Sequence, residues 1–301
     1  MSHRRPLPSD LAHAPFSTSE ARDRGVAEHR LRAADLTHPF HGVIDPRSGV
    51  GLLRDRCAGY APRLRDGQVF SHTTAVLLHG APVPRRVEHE VHVSVAFPRT
   101  PPRTAGAIGH SLRRLDPTLL DGLPVSDAAA AWCESAAVLR REELVAVGDA
   151  LVTGLRIAGV RSAAATDPSR LAAALRARPR GRGAGRAAWA LPRIRTGVDS
   201  PRETELRLLL VRHRLPEPEA DVPIEVAGRV LHADIAYPTA RVLLEYEGDV
   251  HRVDRWRWMA DIRRRELFED AGFRVIRVVA ADLEDPAPLI ARVRRLVRGA
   301  P

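Results

Sequence analysis

In the last third of the chain the apolar positions change period several times, and each change marks an element. In "SPRETELRLLLVRHRL" Leu206, Leu209 and Leu210 recur at helical spacing. Ser200 stands at the N-cap, Pro201 at the first helical position and Glu203 three residues after the cap. "ADVPIEVAGRVLHADIAYPTARVLLEYEG" then reads as three strands, with tight turns near Ala227-Gly228 and Pro238-Thr239. A long helix is expected from about Asp254 to Ala271, stopped by Gly272. "FRVIRVVAADL" is a further strand and "PAPLIARVRRLVRGA" a closing helix. Residues 199–301 therefore spell α-β-β-β-α-β-α.

Upstream, the pattern is shorter in period and more broken. Residues 1–15 are polar and interrupted by proline, as in a loose tail. Over residues 16–60, Ser17 and Glu20 make a capping-box start, Gly25 stops that helix, and a second helix is expected over 27–34. "PFHGVI" follows like the turn and strand of a small winged helix-turn-helix. Arg30 and Arg32 would then lie on the helix that reads a DNA major groove; the alternative is a helical pair packing on its neighbour. Residues 61–175 read as an α+β domain. "SHTTAVLLHG" is a helix capped by Ser71 and stopped by Gly80, and "HEVHVSVAF" is a half-buried strand with Val91, Val93 and Val95 on one face. His89 and His92 make no HExxH and lack a carboxylate partner at ligand spacing, so they read as exposed strand histidines. Two helices follow, the first from near Ser126 and the second over Glu142–Val152, with Trp132 and Cys133 as core. The cluster of Gly, Arg and Pro in "ARPRGRGAGRAA" marks residues 176–198 as a linker. The expected class is α/β, an α+β multi-domain chain.

Composition changes this picture in two ways. The 301 residues are 44% hydrophobic, enough for packed cores, and carry a formal charge of +10. All 47 basic residues are arginine, so a single arginine is weak evidence of function here. The surplus still favours polyanions, nucleic acid first, over a basic surface that binds nothing. Cys57 and Cys133 form no CxxC, which argues against a disulfide framework and fits a reducing cytoplasm. The first residues hold no apolar signal region, and no run approaches the ~20 residues that span a bilayer. A soluble cytoplasmic protein with no membrane partner is expected. Neither a Gly-rich phosphate loop nor a Ser-centred nucleophile elbow occurs.

Within this basic chain, "LHADIAYPTARVLLEYEGDVH" concentrates Asp234, Glu245 and Glu247. Residues i and i+2 of a strand share a face, so Glu245 and Glu247 point the same way, and a hairpin can set Asp234 beside Glu245. Carboxylates converging in this way repel unless a cation lies between them, and hard oxygen ligands suit Mg²⁺ or Mn²⁺. The alternative is a polar face neutralised by arginines such as Arg229 or Arg241.

The motifs "SPRETELRLLL", "HADIAYP", "LLEYEGDVH" and "DIRRRELFEDAGFRVIRV", in that order, resemble the very-short-patch-repair endonuclease-related branch of the PD-(D/E)xK superfamily. That resemblance implies a restriction-endonuclease-like domain hydrolysing phosphodiester bonds with Mg²⁺ or Mn²⁺. By position, Asp234 is the first-strand acid and Glu245 the second-motif acid. Glu247 stands where many superfamily members keep lysine, a residue absent from this chain. His251 is the natural substitute as proton acceptor. Glu203 matches a helix acid that often completes such sites, although its spacing from Ser200 also makes a capping box. Asp261 and Arg264 match a DxxR helix motif, in which Arg264 holds a phosphate of bound DNA or one of the acids. The N-terminal two thirds are more loosely similar to AbiEi-type antitoxins of type IV toxin-antitoxin systems. The similarity rests on the winged-helix segment, "SHTTAVLLHGAP" and "GLPVSDAAAAWC", and implies DNA-bound repression and a cognate toxin.

Overall fold

The structure, a computed structural model, describes residues 6–47, 53–154, 156–157, 160–226, 228–247 and 255–298. The chain is an α+β protein of two compact units, each discontinuous in sequence. One unit comprises Met1–Arg140 and Thr166–Ala188, the other Arg141–Ala165 and Trp189–Pro301.

The first unit opens with β1 (Phe16–Ser17) and α1 (Thr18–Asp23), where Ser17 accepts the Glu20 N–H at 3.1 Å as the capping pattern requires. α2 (Glu28–Leu31) is a single turn, shorter than the helix expected over 27–34. The Ala33 and Leu36 N–H groups bond three residues back, and Arg30 reaches across to Asp35, so the chain turns at once. β2 (Val43–Ile44) pairs with β1, and Phe16, Ala21, Leu31 and Ile44 close a small core.

Next come α3 (Leu53–Tyr60), β3 (Gln68–Phe70), α4 (His72–Leu78), β4 (Val91–Ala96), β5 (Ala107–Leu112), β6 (Pro117–Leu120), β7 (Leu123–Ser126) and α5 (Ala128–Ser135). The strands form one sheet in the order β5-β4-β3-β7-β6. β4 departs from expectation: His92 and Ser94 are as buried as the valines that flank them. The polar residues on this second face satisfy one another and the adjoining backbone, which removes the need for water. Ser94 donates to Ser71 Oγ at 2.6 Å, and Thr74 Oγ1 accepts the His92 N–H at 2.8 Å. The Ser71 hydroxyl is thereby engaged with side chains and does not cap α4. α5 is capped by Asp127, not Ser126, and is buried all round, including Trp132 and Cys133. Cys57 and Cys133 are unbridged, and burial pushes both thiols up to about 12.

The chain enters the second unit with α6 (Arg141–Thr153) and the hairpin of β8 (Arg156–Ile157) and β9 (Val160–Arg161). It returns with α7 (Pro168–Arg176) and reaches α8 (Ala184–Ala190). The segment expected as a linker over 176–198 thus contains α8 and a 3₁₀ turn, Leu191–Arg193. Its glycines serve packing: a Cβ on Gly183 (φ +84°) would lie 2.1 Å from the Ala136 carbonyl oxygen. Arg186 Nη1 donates to the Ala136 and Leu139 carbonyls, at 3.0 Å each.

The second unit continues with α9 (Pro201–Arg212), β10 (Glu219–Val226), β11 (Arg229–Tyr237), β12 (Val242–Tyr246), α10 (Arg255–Asp270), β13 (Arg274–Val278), α11 (Ala280–Glu284) and α12 (Ala287–Arg298). The order read from the sequence is present, with α11 added where β13 was expected to run on. Asp282 accepts the Val279 N–H at 2.9 Å and starts that extra helix. The sheet order is β10-β11-β12-β13; only the β12–β13 pair is parallel, with α10 as its crossover. Gly228 (φ +73°) closes the two-residue turn between Val226 and Arg229. Leu206, Leu210, Ile235, Leu244, Ile276 and Ile290 fill one face of the sheet, and Ile224, Leu243 and Phe268 fill the other. α6 is fastened to α9 by a buried charge pair, Asp149 with Arg207, whose Nη2 lies 2.8 Å from Oδ2. Among the described residues, no helix is long and apolar enough to cross a membrane.

Candidate functional site

The β11–β12 register sets Ile235 opposite Leu244, so Asp234 and Glu245 are the next residues along the two strands. Both carboxylates engage Arg264 of α10: its Nη2 lies 3.4 Å from Asp234 Oδ1 and 3.0 Å from Glu245 Oε1. The same guanidinium donates to the His232 carbonyl. Arg264 thus holds both strand acids. Glu203 approaches from the start of α9. It accepts the Asp199 N–H at 2.9 Å and the Ser200 hydroxyl at 2.7 Å, while Ser200 Oγ accepts the Glu203 N–H at 3.2 Å. Ser200 thus caps the helix, while Glu203 reaches back past the cap to the Asp199 N–H, one residue beyond the bond of a full capping box. Its carboxyl also feels Asp234: burial first, then the Asp234 charge, pushes it up to about 8. Burial likewise pushes Asp234 up, with Arg264 acting against the shift. Glu203 is thus both a cap and a neighbour of the strand acids.

Glu247 behaves differently from Glu245. Its N–H extends the ladder to the Val278 carbonyl at 2.8 Å, and its carboxylate pairs with Arg277. Two residues apart on one strand, the two glutamates engage different arginines. Among the described residues, no three carboxylates have oxygens within 4.8 Å of one another. His251 lies outside the described residues, and so does the side chain of Asp261. Sequence reasoning missed a second set of charges around the same acids. Arg156 Nε lies 2.8 Å from Asp199 Oδ2, and Arg161 bonds both Asp199 and Asp221, at 2.5 and 3.2 Å. His232 Nδ1 lies 2.9 Å from Asp221 Oδ1. These partners come from separate segments, so no local spacing could have announced them.

The Glu203 shift has a measurable sign. The folded state keeps this proton up to pH of about 8, whereas the unfolded chain releases it near 4.5. Between those values the folded state binds more protons, so this group makes stability fall as pH rises, with no further loss above 8. Glu203→Gln copies the neutral acid. Its urea midpoint, compared with the parent protein at pH 5 and at pH 8.5, is expected to shift in favour of the variant at the higher pH. An unchanged difference would mean that Glu203 titrates as an ordinary surface carboxylate.

The two arginines expected to read DNA are placed unequally. Arg30 is bidentate to Asp35, at 3.1 and 2.8 Å, with its side chain 10% exposed. Arg32 is largely exposed, 3.5 Å from Glu28. A second cluster of titratable groups occurs in the first unit, where His92, expected to be exposed, is buried beside His72 and His110. Burial pushes all three imidazoles down, His110 to about 4. His89 is exposed, as expected.

No protein-family model matches the chain, and no solved structure matches it. It is similar to two uncharacterized proteins of Mycobacterium tuberculosis, MT2308 of strain CDC 1551 / Oshkosh and Rv2248 of strain ATCC 25618 / H37Rv. Each is 30% identical over 173 residues, covering 56% of this chain and 60% of the relative. The aligned part thus spans less than two thirds of either relative's length.

Proposed function

We propose that this is a DNA-binding protein whose second unit is a metal-dependent endonuclease of the PD-(D/E)xK kind. The observation that carries the reading is the sharing of Arg264 by Asp234 and Glu245 on the β11–β12 pair, with the Asp234 charge acting on Glu203 at the start of α9. In a chain with 47 arginines, the Asp234 charge still raises the proton affinity of Glu203, and burial and the Asp199 charge raise that of Asp234. Their donor set is all hard oxygen and their residual repulsion is the kind a divalent cation relieves, so Mg²⁺ or Mn²⁺ fits. Asp234 and Glu245 would hold the ion with Glu203 behind them, and Glu247 would join only on leaving Arg277. Bound there, such an ion supplies Lewis-acid stabilisation of charge on phosphate oxygens. Arg264 keeps the two strand acids in register, and the net positive charge draws the polyanion in. The setting is cytoplasmic.

A second reading is a transcriptional regulator or antitoxin that uses the same fold only to bind DNA, with a toxin as partner. It is favoured by the arginine neutralisation of the site, Arg264 on Asp234 and Glu245 and Arg277 on Glu247. Plasmid and short duplexes incubated with the protein in Mg²⁺, Mn²⁺ or EDTA separate the two. Nicking that requires the metal is the expected result. Tight binding to the DNA upstream of its own gene, with no cleavage in either metal, would overturn the nuclease reading in favour of the regulator.

A further inference from the structure

Two neighbouring strands of the first unit's sheet and the start of the helix that follows a third each deliver one histidine to a single point. His72 opens α4 one residue after β3 ends, His92 lies in β4 and His110 in β5. β4 and β5 run parallel with Ser94 opposite His110, so His92 and His110 differ by one diagonal step. One ring nitrogen of each residue lies within 4.8 Å of those of the other two. The rings stack: His72 and His110 are 3.8 Å apart between centroids at 22°, and His92 Nδ1 is 2.8 Å from His110 Nε2. On His92 and His72 a second ring nitrogen is held by another group. Glu90 Oε2 lies 3.0 Å from His92 Nε2, and Ser71 Oγ lies 3.0 Å from His72 Nδ1.

From this geometry we infer that His72, His92 and His110 bind a transition-metal ion, with Zn²⁺ the representative case. Imidazole nitrogen is a borderline-soft donor that suits Zn²⁺, Cu²⁺ or Ni²⁺ and not the hard Mg²⁺ of the carboxylate cluster. Three nitrogens are one ligand short of a tetrahedron, so the set leaves a fourth position for water or a further ligand. Glu90 on the far nitrogen of His92 fixes that ring with Nδ1 toward the site, the usual arrangement of a carboxylate behind a ligating histidine. His72 has φ +51°, a left-handed backbone that a non-glycine residue adopts at a cost, and the Glu134 carboxylate accepts its N–H at 3.2 Å. The fold thus holds His72 where its ring meets the other two. Two Zn–N bonds of about 2.0–2.1 Å need their nitrogens about 3.3 Å apart. Binding an ion therefore requires His92 and His110 to part from 2.8 Å and the stacked rings to turn so that their nitrogens converge. His72 and His92 are buried and His110 is half-buried, so an ion enters from the His110 side.

The test is metal retention by the full chain. After expression with Zn²⁺ and exhaustive dialysis, about one zinc per chain is expected by elemental analysis. Replacing it with Co²⁺ should give the visible absorption of a four-coordinate site. His92→Gln and His110→Gln should each weaken retention by at least tenfold, while the exposed His89→Gln and the carboxylate variant Asp234→Ala should retain the ion. Because a variant could fail to fold, the parent protein carries a second readout: added Zn²⁺ should raise its melting temperature and added Mg²⁺ should not. Substoichiometric zinc with no such rise, or equal retention by parent and His92→Gln, would overturn the assignment.

Discussion

Asp149→Ala is expected to destabilise the second unit by about 3–5 kcal/mol, the range for breaking a buried ion pair from one side. At about 2–4 °C per kcal/mol for a domain of this size class, the melting temperature falls by about 6–20 °C. Burial pushes the Asp149 carboxyl up, and Arg207, the Arg195 N–H and the Thr204 hydroxyl pull it back. Those three donors lie 2.8, 2.7 and 2.8 Å from it. Arg207, itself 1% exposed, also bonds Glu217 and the Arg193 carbonyl. Removing Asp149 leaves a buried guanidinium with only part of its compensation and strands the Thr204 hydroxyl and the Arg195 N–H. The double variant Asp149→Leu/Arg207→Met leaves no lone charge and should recover much of the loss. Chemical denaturation of Asp149→Leu, Arg207→Met and the double forms the cycle. A double variant as unstable as the sum of the singles would mean that the pair does not couple.

Asp234→Ala is the largest expected effect on activity. If the nuclease reading holds, it removes the strand acid that acts on Glu203 and shares Arg264 with Glu245, and with it several kcal/mol of metal-borne stabilisation. At 1.36 kcal/mol per tenfold, the cleavage rate falls by about a thousandfold or more. DNA affinity should change little, because the positive surface is untouched, and a filter-binding isotherm beside the nicking assay separates the two quantities. Glu247→Ala should cost less, since its carboxylate is already satisfied by Arg277. Cleavage retained in Asp234→Ala would sink the site assignment whatever the fold.

Much of the second unit was legible because its signals are local. Ser200, Pro201 and Glu203 lie within one turn, the strand periods persist for five to nine residues, and Gly228 and Gly272 sit at the turns they make. The strand acids were legible for the same reason: a hairpin pairs residues by counting outward from its turn. The partners of those acids were not. Arg264 reaches Asp234 from 30 positions away, and Arg277 reaches Glu247 from 30. Contacts of that range are chosen by packing, which a single sequence of similar arginines does not encode locally.

The first unit shows the converse. The alternation in β4 was read as one wet face, yet hydrogen bonding among Ser71, Thr74, His92 and Ser94 let that face be buried. The three histidines carry no ligand spacing because strand order, not sequence distance, brings them together. The glycine-rich stretch near residue 183 looked like a linker because glycine permits both freedom and close approach, and only the Ala136 backbone against it decides between them. The sequence by itself determined the elements, their caps and turns, and the acids that a hairpin must pair. The tertiary structure alone decided which charges neutralise those acids, that Asp149 of α6 serves the second unit, and that three distant histidines share one point. Local backbone preference acts over a few residues, whereas burial and charge pairing act through space.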